Sequence, residues 1–297
     1  MAESAAKVTV EVAGRRLVVS NLDKVLYPDT ETTKGEVLNY YARIAPVLLP
    51  HVARRPATRV RFPHGTGGMS FFEKNLPSGA PGWLPRVTLT HSSDTITYPL
   101  ITGVDTLTYL ANLASLELHV PQWQVDTDDQ PLPPDRLVID LDPGPGAGLQ
   151  QCSLVALRVR ERLTGIGLSP VPVTSGSKGL QVYAVVPRTQ SSDDLSALAQ
   201  QLAQELTDEF PDVVVWKMAT ALRPGKVFVD WSQNAAAKTT ISPYSLRGKG
   251  APFAATPRTW EELERGAAAP DGLTQVLADE VLARVQRHGD LAAALLA

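Results

Sequence analysis

The beginning of the chain alternates apolar and polar side chains in the manner of a β-hairpin. Residues 8–12 (VTVEV) and 16–19 (RLVV) largely follow this alternation, and the segment 13–15 (AGR) between them has turn composition. Because a period of two is typical of a half-buried strand, the pattern predicts two antiparallel strands joined by a tight turn.

Apolar residues at helical spacing predict several helices. The first begins at Thr33, where Glu36 three residues later completes capping-box spacing, and its apolar positions recur up to Pro50. The same reasoning predicts helices over 107–118, 149–163 and 195–210, and a mostly helical tail over 259–297.

Short apolar runs between glycine- and proline-containing turns predict strands. They lie at 59–62, 70–73, 95–101, 137–142, 171–174, 180–186 and 226–231. Strands and helices therefore intermingle along the chain, which predicts an α/β fold in a single domain over 1–297. The polar, proline-containing segment 124–134 is the best candidate for a connection between two lobes.

Composition narrows the class of protein. The 297 residues are 43% hydrophobic and 20% charged, which allows a sizeable core and argues against a disordered chain. The net charge of −3 excludes a surface that is basic throughout, so any phosphate-binding surface must be a local cluster. A single cysteine, Cys152, fits the reducing cytosol, and no signal sequence or membrane-length apolar run is seen, so we expect a cytoplasmic protein.

Three carboxylates stand at the ends of predicted strands. Asp140 and Asp142 are two residues apart, so their side chains share one face of a strand. Asp230 has the same position in the strand 226–231, and the three converge if the two strands are neighbours. Such crowded carboxylates require cations, and two divalent ions are the usual arrangement for nucleotidyl transfer. Aspartates that merely cap strand ends are the alternative that the pattern leaves open.

Two segments offer donors to phosphate. The turn 175–179 (SGSKG) combines small residues, two hydroxyls and Lys178, so its exposed backbone N–H groups and one ammonium suit a triphosphate. Basic residues also cluster around the strand 226–231, namely Arg223, Lys226, Lys238 and Arg247. An ordinary hairpin turn and a solvated basic face are the respective alternatives.

Aromatic residues next to cations predict a surface for nucleic-acid bases. Phe71 and Phe72 are adjacent on a predicted strand, so at least one ring is pushed toward solvent, and Arg61 and Lys74 flank them. An exposed ring framed by cations can stack a base while its phosphates are held. Packing of one ring in the core is the alternative. His119 is either a phosphate or sugar ligand or a buried imidazole that donates to a backbone carbonyl.

Taken together, these segments resemble the polymerase domain of the bacterial ligase-D family, a branch of the archaeo-eukaryotic primase superfamily. The resemblance runs in order through about 21–263. It is carried by 21–28 (NLDKVLYP), 32–36 (TTKGE), 71–77 (FFEKNLP), 118–123 (LHVPQW), 140–144 (DLDPG), 175–180 (SGSKGL), 226–234 (KVFVDWSQN) and 238–248 (KTTISPYSLRG). The ordered set is far more specific than any one block.

The resemblance implies a primase-type mixed sheet flanked by helices, in two closely packed lobes with a central cleft. It implies two Mn²⁺ or Mg²⁺ ions held by Asp140, Asp142 and Asp230. It places the incoming nucleotide at His119, Ser175, Lys178, Gln181, Arg223, Gln233 and Arg247. It places template bases on Phe71 and Phe72, beside Arg61 and Lys74.

The resemblance also implies a pocket for the 5′-phosphate across a gap, formed by Asn21, Lys24 and Lys34. Two ammonium groups and an amide near a helix N-terminus independently suit an anion. The region 91–98 resembles a loop that helps to bring DNA ends together.

Two features depart from the family pattern. Gln181 stands where the relatives usually carry His, and an amide can donate to phosphate but cannot carry positive charge. No ligase or nuclease module follows within the sequence, which fits a stand-alone paralogue or one domain of a longer protein.

The expected function is a DNA repair polymerase. It adds deoxyribonucleotides or ribonucleotides to a primer 3′-hydroxyl at short gaps or double-strand break ends, as in non-homologous end joining. The expected partners are DNA with a 5′-phosphate at a gap or break, nucleoside triphosphates, a DNA ligase and an end-binding protein, and no membrane. A metal-dependent phosphohydrolase and a non-catalytic DNA-end-binding paralogue are the alternatives.

Overall fold

The structure is a computed structural model, and it describes residues 7–91 and 94–296. The α-helices in this part of the chain are α1 (Lys34–Val52), α2 (Val104–Asn112), α3 (Leu149–Gly165), α4 (Ser192–Glu209), α5 (Trp260–Ala268) and α6 (Ala278–His288). The strands before α3 are β1 (Lys7–Val12), β2 (Arg15–Ser20), β3 (Val25–Tyr27), β4 (Thr32–Thr33), β5 (Thr58–Arg61), β6 (Phe71–Glu73), β7 (Arg86–Thr90), β8 (Thr95–Pro99), β9 (Ser115–Val120) and β10 (Arg136–Pro143). Those after it are β11 (Val171–Thr174), β12 (Leu180–Val185), β13 (Val214–Val215), β14 (Val227–Asp230), β15 (Thr240–Ile241), β16 (Phe253–Ala254), β17 (Thr256–Pro257) and β18 (Val276–Leu277).

A six-stranded mixed sheet forms one half of the core. Its strand order is β13-β14-β10-β12-β11-β17, and all neighbours are antiparallel except β13 and β14. Leu137, Ile139 and Leu141 of β10 pack in one cluster with apolar residues of α3 and α4. Because side chains alternate along a strand, Val138, Asp140 and Asp142 lie on the opposite face.

A four-stranded antiparallel sheet, in the order β15-β9-β5-β6, lies beside the other half of the core. Leu116 and Leu118 of β9 pack in a second cluster with buried residues of α1 and α2. A smaller cluster joins Val138 of β10 to Ile241 of β15. The face of β10 that carries Asp140 and Asp142 is therefore turned toward the four-stranded sheet.

Most of the predicted elements are confirmed. The hairpin β1–β2 pairs Val8 with Val19, and α1 begins with the predicted capping box between Thr33 and Glu36. The α/β class is confirmed as well. The two lobes, the central cleft and the connecting role of 124–134 stay predictions. Within that last segment, Val125 is fully buried and bridges to Pro131.

The predicted helix over 107–118 is wrong in its second half. The helix α2 ends at Asn112, and Ala114 adopts a left-handed backbone with φ 58°, after which the chain continues as β9. Leu116 and Leu118 are two residues apart and both pack in the core. This spacing fits a helix poorly but fits a strand, in which alternate side chains point to the same face. The strand β7 was not predicted, and neither were the short strands β3, β4, β13, β15, β16, β17 and β18.

Among residues 7–91 and 94–296, no helix combines the length and apolar character that spanning a membrane would require.

Candidate active site

Three carboxylates meet where β10 and β14 pair. Asp140 is the register partner of Asp230, and Asp142 is the partner of Phe228. One carboxylate oxygen from each of Asp140, Asp142 and Asp230 lies within 4.8 Å of the others, so one cation can contact all three. This confirms the convergence that the sequence left conditional. Three carboxylates without sulfur or imidazole are the donor set of a hard divalent cation, so the residues present fit a metal site.

The electrostatics of the triad favour a bound cation. Burial, followed by the negative charges of Asp142 and Asp230, raises the pKa of Asp140 well above its usual range. Desolvation and the charge of Asp230 also raise the pKa of Asp142, while the cations Arg223, Arg247 and Lys178 oppose that rise. Basic side chains therefore surround the three carboxylates but neutralise their charge only in part.

Asp230 is oriented by its own neighbours. The Oδ1 of Asp230 accepts hydrogen bonds from the backbone N–H of Ser232 at 3.1 Å and from the Ser232 hydroxyl at 2.6 Å. The amide of Gln233 donates to Oδ2 at 2.7 Å. Gln233 thus orients a metal-ligand candidate.

The predicted nucleotide residues largely share one pocket of about 280 Å³ beside the triad. Its lining includes His119, Asp140, Asp142, Ser175, Ser177, Lys178, Gln181, Gln233, Thr239, Thr240, Ile241 and Arg247. Arg223 is not part of this lining. Its guanidinium lies 3.7 Å from the ring centroid of Phe228 and donates to the carbonyl of Met218, close enough to Asp142 to act on its charge.

The turn 175–179 is a closed hairpin turn rather than an open cradle of N–H groups. The N–H of Ser175 donates to Gly179 O, and that of Ser177 donates to the Ser175 hydroxyl. Gln275 spans the turn, since its Oε1 accepts from Gly176 N–H at 2.7 Å and its Nε2 donates to Gly179 O at 3.0 Å. Several backbone N–H groups that were predicted to bind phosphate are therefore already hydrogen-bonded within the protein, so any phosphate binding would depend more on side chains.

Glycine is required where this turn meets β10. A Cβ on Gly179 would lie 2.0 Å from the carbonyl oxygen of Leu141, the residue between the two aspartates. The close approach holds Lys178 beside the carboxylates.

Glu117, which contacts two of the predicted nucleotide residues, was not identified from the sequence. Its carboxylate contacts His119 Nε2 at 2.8 Å, Arg247 Nη1 at 3.3 Å and the backbone N–H of Gly248 at 2.9 Å. His119 therefore pairs with a carboxylate, and neither of the two roles considered for it describes this contact. Reading 115–120 as a strand would have revealed that Glu117 and His119 share a face.

The loop that carries Arg247 is held by tyrosine hydroxyls from the other half of the core. Tyr40 donates to Tyr244 O at 2.8 Å, and the hydroxyl of Tyr41 accepts from Leu246 N–H at 3.2 Å. Tyr27 donates to Arg247 O at 3.0 Å. All three rings are buried, so the loop has little freedom at the pocket.

Gln181 lies on β12 directly opposite Asp140. The hydroxyl of Tyr183 donates to its Oε1 at 2.8 Å. The amide nitrogen is consequently the end that remains for Asp140 or a nucleotide, and its hydrogen bond opposes the rise that burial causes in the pKa of Asp140.

Both predicted template aromatics are exposed. Phe71 and Phe72 on the edge strand β6 have 43% and 60% of their surface accessible, so neither is a core residue. The Phe72 ring centroid lies 6.5 Å from that of His119, which brings this surface next to the pocket beside the triad. Lys74 follows in the same segment. Arg61 is less available, because it donates to Glu73 at 2.8 Å and to Leu113 O at 2.8 Å.

The residues predicted to bind a 5′-phosphate lie together at the start of α1. The Lys24 N–H donates to Asn21 O at 3.1 Å, and the Lys34 N–H donates to Lys24 O at 2.8 Å. The Lys34 ammonium donates to Ser20 O at 2.6 Å. Burial, and then the neighbouring Lys24 ammonium, lowers the pKa of Lys34 to about 8, so the pocket favours an added anion.

The helix N-terminus itself contributes less than the sequence suggested. Its first three N–H groups already have acceptors, in the pairs Lys34 to Lys24 O, Gly35 to Leu22 O and Glu36 to the Thr33 hydroxyl. Side-chain ammonium groups must therefore provide most of any phosphate binding. The proposed end-joining loop 91–98 lies partly outside the described residues, which exclude 92–93.

Comparisons with known proteins identify the family of the chain. The family model described as LigD, primase-polymerase domain, matches residues 33–292. The chain is 50% identical over 280 residues to the multifunctional non-homologous end joining protein LigD of Mycolicibacterium smegmatis, covering 94% of this chain and 36% of that protein. It is 29% identical over 277 residues to the bifunctional non-homologous end joining protein LigD of Bacillus subtilis, covering 92% of this chain and 43% of that protein. The chain thus spans less than half the length of these relatives.

A solved structure is similar over nearly the whole chain. It is the polymerase domain from Mycobacterium tuberculosis Ligase D in complex with DNA, with a TM-score of 0.89 and 49% sequence identity. The match covers 95% of this chain and 98% of that one.

Proposed function

The chain belongs to the LigD primase-polymerase domain family, a family of nucleotidyltransferase-type DNA repair polymerases, and we propose that it extends primers at short gaps and broken DNA ends. The proposed reaction adds a deoxyribonucleotide or ribonucleotide to a primer 3′-hydroxyl opposite a template base. The proposed setting is the filling of breaks before ligation in non-homologous end joining. The DNA in the similar Mycobacterium tuberculosis structure supports DNA as the partner.

Asp140, Asp142 and Asp230 would hold two Mn²⁺ or Mg²⁺ ions. When bound, such ions lower the pKa of the attacking hydroxyl and neutralise charge on the triphosphate. The protein itself places one oxygen of each carboxylate within 4.8 Å of the others, because Asp140 and Asp230 are partners on paired strands. That pairing cannot shift without moving the core.

Cations around the pocket would bind the triphosphate. Lys178 and Arg247 lie near Asp142, with the hydroxyl of Ser175 in the same pocket, so they can meet phosphate oxygens while the carboxylates face the metal. His119 and Gln233 complete the proposed nucleotide contacts. Most of the rate enhancement would be electrostatic, since the charged groups are held in place before substrate binds.

The DNA would lie across the surface next to this pocket. Phe71 and Phe72 would stack template bases, with Lys74 beside them, and the pocket of Lys24 and Lys34 would bind the downstream 5′-phosphate. A DNA ligase and an end-binding protein are the proposed protein partners, because a filled gap still requires sealing.

The observation that carries the proposal is the carboxylate triad at the edge of a pocket lined by Lys178 and Arg247. The test is primer extension on a gapped duplex with Mn²⁺, comparing the chain with its Asp140→Ala, Asp142→Ala double variant. Extension by the chain and not by the variant is expected. Phosphate release without extension would instead indicate a phosphohydrolase, and DNA binding without either reaction would indicate an end-binding protein.

The 5′-phosphate pocket needs a separate test. We expect that removing the downstream phosphate, or changing Lys24 and Lys34 to Ala, lowers extension by similar factors. Equal extension on gaps with and without that phosphate would refute the pocket and leave the polymerase proposal standing.

A further inference from the structure

We propose that Glu117 is a positioning residue for nucleotide binding, because one carboxylate fixes the orientation of both His119 and Arg247. The proposal rests on the proposed function in that it assigns the pocket to a nucleoside triphosphate. Glu117 itself is not assigned contact with the nucleotide.

The geometry places Glu117 between two separate parts of the pocket. Glu117 and His119 are two apart on β9, so they share one face of that strand. Arg247 and Gly248 come from the loop after β15, about 130 residues further along the chain. The carboxylate is therefore a direct link between the strand and the loop that would grip the nucleotide from two sides.

All three donors depend on an ionised carboxylate. Glu117 is 8% exposed, so a charge there must be satisfied inside the protein. Burial alone would raise its pKa, but the hydrogen bond from His119, the Arg247 charge and the Gly248 N–H together lower it. A neutral amide at this position offers one acceptor oxygen and one NH₂ group, so it cannot accept from all three donors.

Pairing with Glu117 also decides which nitrogen of His119 faces other partners. Because Nε2 donates to the carboxylate, Nδ1 is the nitrogen that remains for a nucleotide. An amide at 117 can donate to Nε2 and thereby move the ring proton to Nδ1. The substitution would therefore change the hydrogen bond that a nucleotide finds there.

Several contacts fix the backbone of the loop at Arg247 and Gly248, so the orientation of the Arg247 side chain depends on its contact with Glu117. A Cβ on Gly248 would lie 2.0 Å from the ring of Phe62, so the backbone already touches that ring. The Gly248 N–H points to Glu117, and the Arg247 carbonyl accepts from Tyr27. Of these contacts, only the one with Glu117 holds the Arg247 side chain; the others hold the backbone.

The test measures binding of a non-hydrolysable nucleoside triphosphate with Mn²⁺ by calorimetry, for the chain and for Glu117→Gln. We expect binding to weaken by at least about tenfold, the equivalent of one hydrogen bond to a charged group. The matched control is Glu262→Gln on α5. Its carboxylate is similarly buried and binds Arg284 at 2.7 Å, but it lies outside the pocket lining.

The control separates positioning from general destabilisation. Both variants are expected to lower the thermal midpoint, and only Glu117→Gln is expected to weaken nucleotide binding. Unchanged binding by Glu117→Gln, or equal weakening by both variants, would overturn the proposal. If Glu117→Gln does not fold, Glu117→Asp keeps the charge but shortens the reach, and unchanged binding by that variant would overturn the proposal.

A double-mutant comparison identifies the residue through which Glu117 acts. In an Arg247→Ala background, Glu117→Gln should cost clearly less binding than it does alone, because the shared contact is already lost. Full additivity would contradict the proposal. Because binding is measured without catalysis, an absence of primer extension would refute the proposed function without deciding the role of Glu117.

Discussion

Asp140 and Asp230 are direct register partners on antiparallel strands, although 90 positions separate them in the sequence. Their side chains consequently stand on the same face of the sheet, and Asp142 joins them from the next position on that face. Because the strand pairing holds the three carboxylates together, they repel one another, so a bound divalent cation would stabilise the folded state.

Asp230→Asn tests this relationship. The neutral side chain can still accept from Ser232 but offers less charge to a cation, so primer extension should fall by at least about 100-fold. We also expect Mn²⁺ to raise the thermal midpoint of the unaltered chain and not that of the variant. Scanning fluorimetry with and without Mn²⁺ measures the second effect directly.

The matched control for Asp230 is Asp212→Asn, which removes an exposed carboxylate before β13. It should retain extension and the Mn²⁺-dependent rise. A normal Mn²⁺ response in Asp230→Asn would show that the triad is not the metal site.

The sequence predicted those parts of the fold that depend on local patterns. The capping box at Thr33 and the alternation at 8–19 depend on neighbours within a few residues, and both are confirmed. The prediction for 107–118 was wrong because Leu113 and Leu116 extend the helical spacing of Leu110, whereas Leu116 and Leu118 follow the period of two of a strand. Only packing against α1 and α2 decides between them.

In the site, too, the features that depend on local spacing could be predicted and those that depend on tertiary contacts could not. Asp140 and Asp142 could be placed on one face from spacing alone, but their contact with Asp230 depends on strand order. Glu117 was missed because its strand was predicted as a helix, which hid its pairing with His119, and because Arg247 and Gly248 are remote in sequence. Gln275 gave no local signal at all, since its contacts with the 175–179 turn are entirely tertiary.

Phe72→Ala tests the stacking surface. The ring is 60% exposed and lies beside His119, so its loss should weaken binding of a single-stranded template overhang by about 1–3 kcal/mol. Folding stability should change by less than about 0.5 kcal/mol, because the ring is not part of the core. Fluorescence anisotropy with a labelled overhang gives the affinity.

Ile166→Ala is the control for Phe72, since Ile166 is a 58% exposed apolar residue at the end of α3. It should leave template binding unchanged. Similar losses in both variants would point to non-specific contact rather than base stacking.

The benefit of a downstream 5′-phosphate should fall as pH rises. Lys34 has a pKa lowered to about 8, so it is mainly protonated at pH 7 and mainly neutral at pH 9. Because the ammonium form attracts phosphate, the ratio of extension on 5′-phosphate to 5′-hydroxyl gaps should decrease between these pH values. Bound phosphate favours the protonated form and moves the decrease to higher pH without changing its sign.

Lys34→Arg separates this titration from other effects of pH. Arginine stays charged throughout the range, so the same ratio should remain flat in that variant. A ratio that is constant from pH 7 to pH 9 in the unaltered chain would contradict the predicted titration of Lys34 in this range.

Gln181 lies directly opposite Asp140 and offers a specific test of the pocket. Tyr183 donates to its Oε1, so the NH₂ group is directed toward Asp140 and the pocket. Gln181→Glu keeps the acceptor for Tyr183 but places a fourth negative charge opposite Asp140. We expect extension to fall by at least about tenfold, because like charges in a poorly solvated site repel strongly.

Gln181→His is the companion variant, because imidazole retains a donor at this position. It should keep extension within about threefold, since a ring N–H replaces the amide N–H without adding negative charge. Steady-state measurements of kcat and KM for the nucleotide distinguish the two variants. Equal losses in Gln181→Glu and Gln181→His would mean that the shape of the glutamine, rather than its hydrogen-bond donor, is what this position requires.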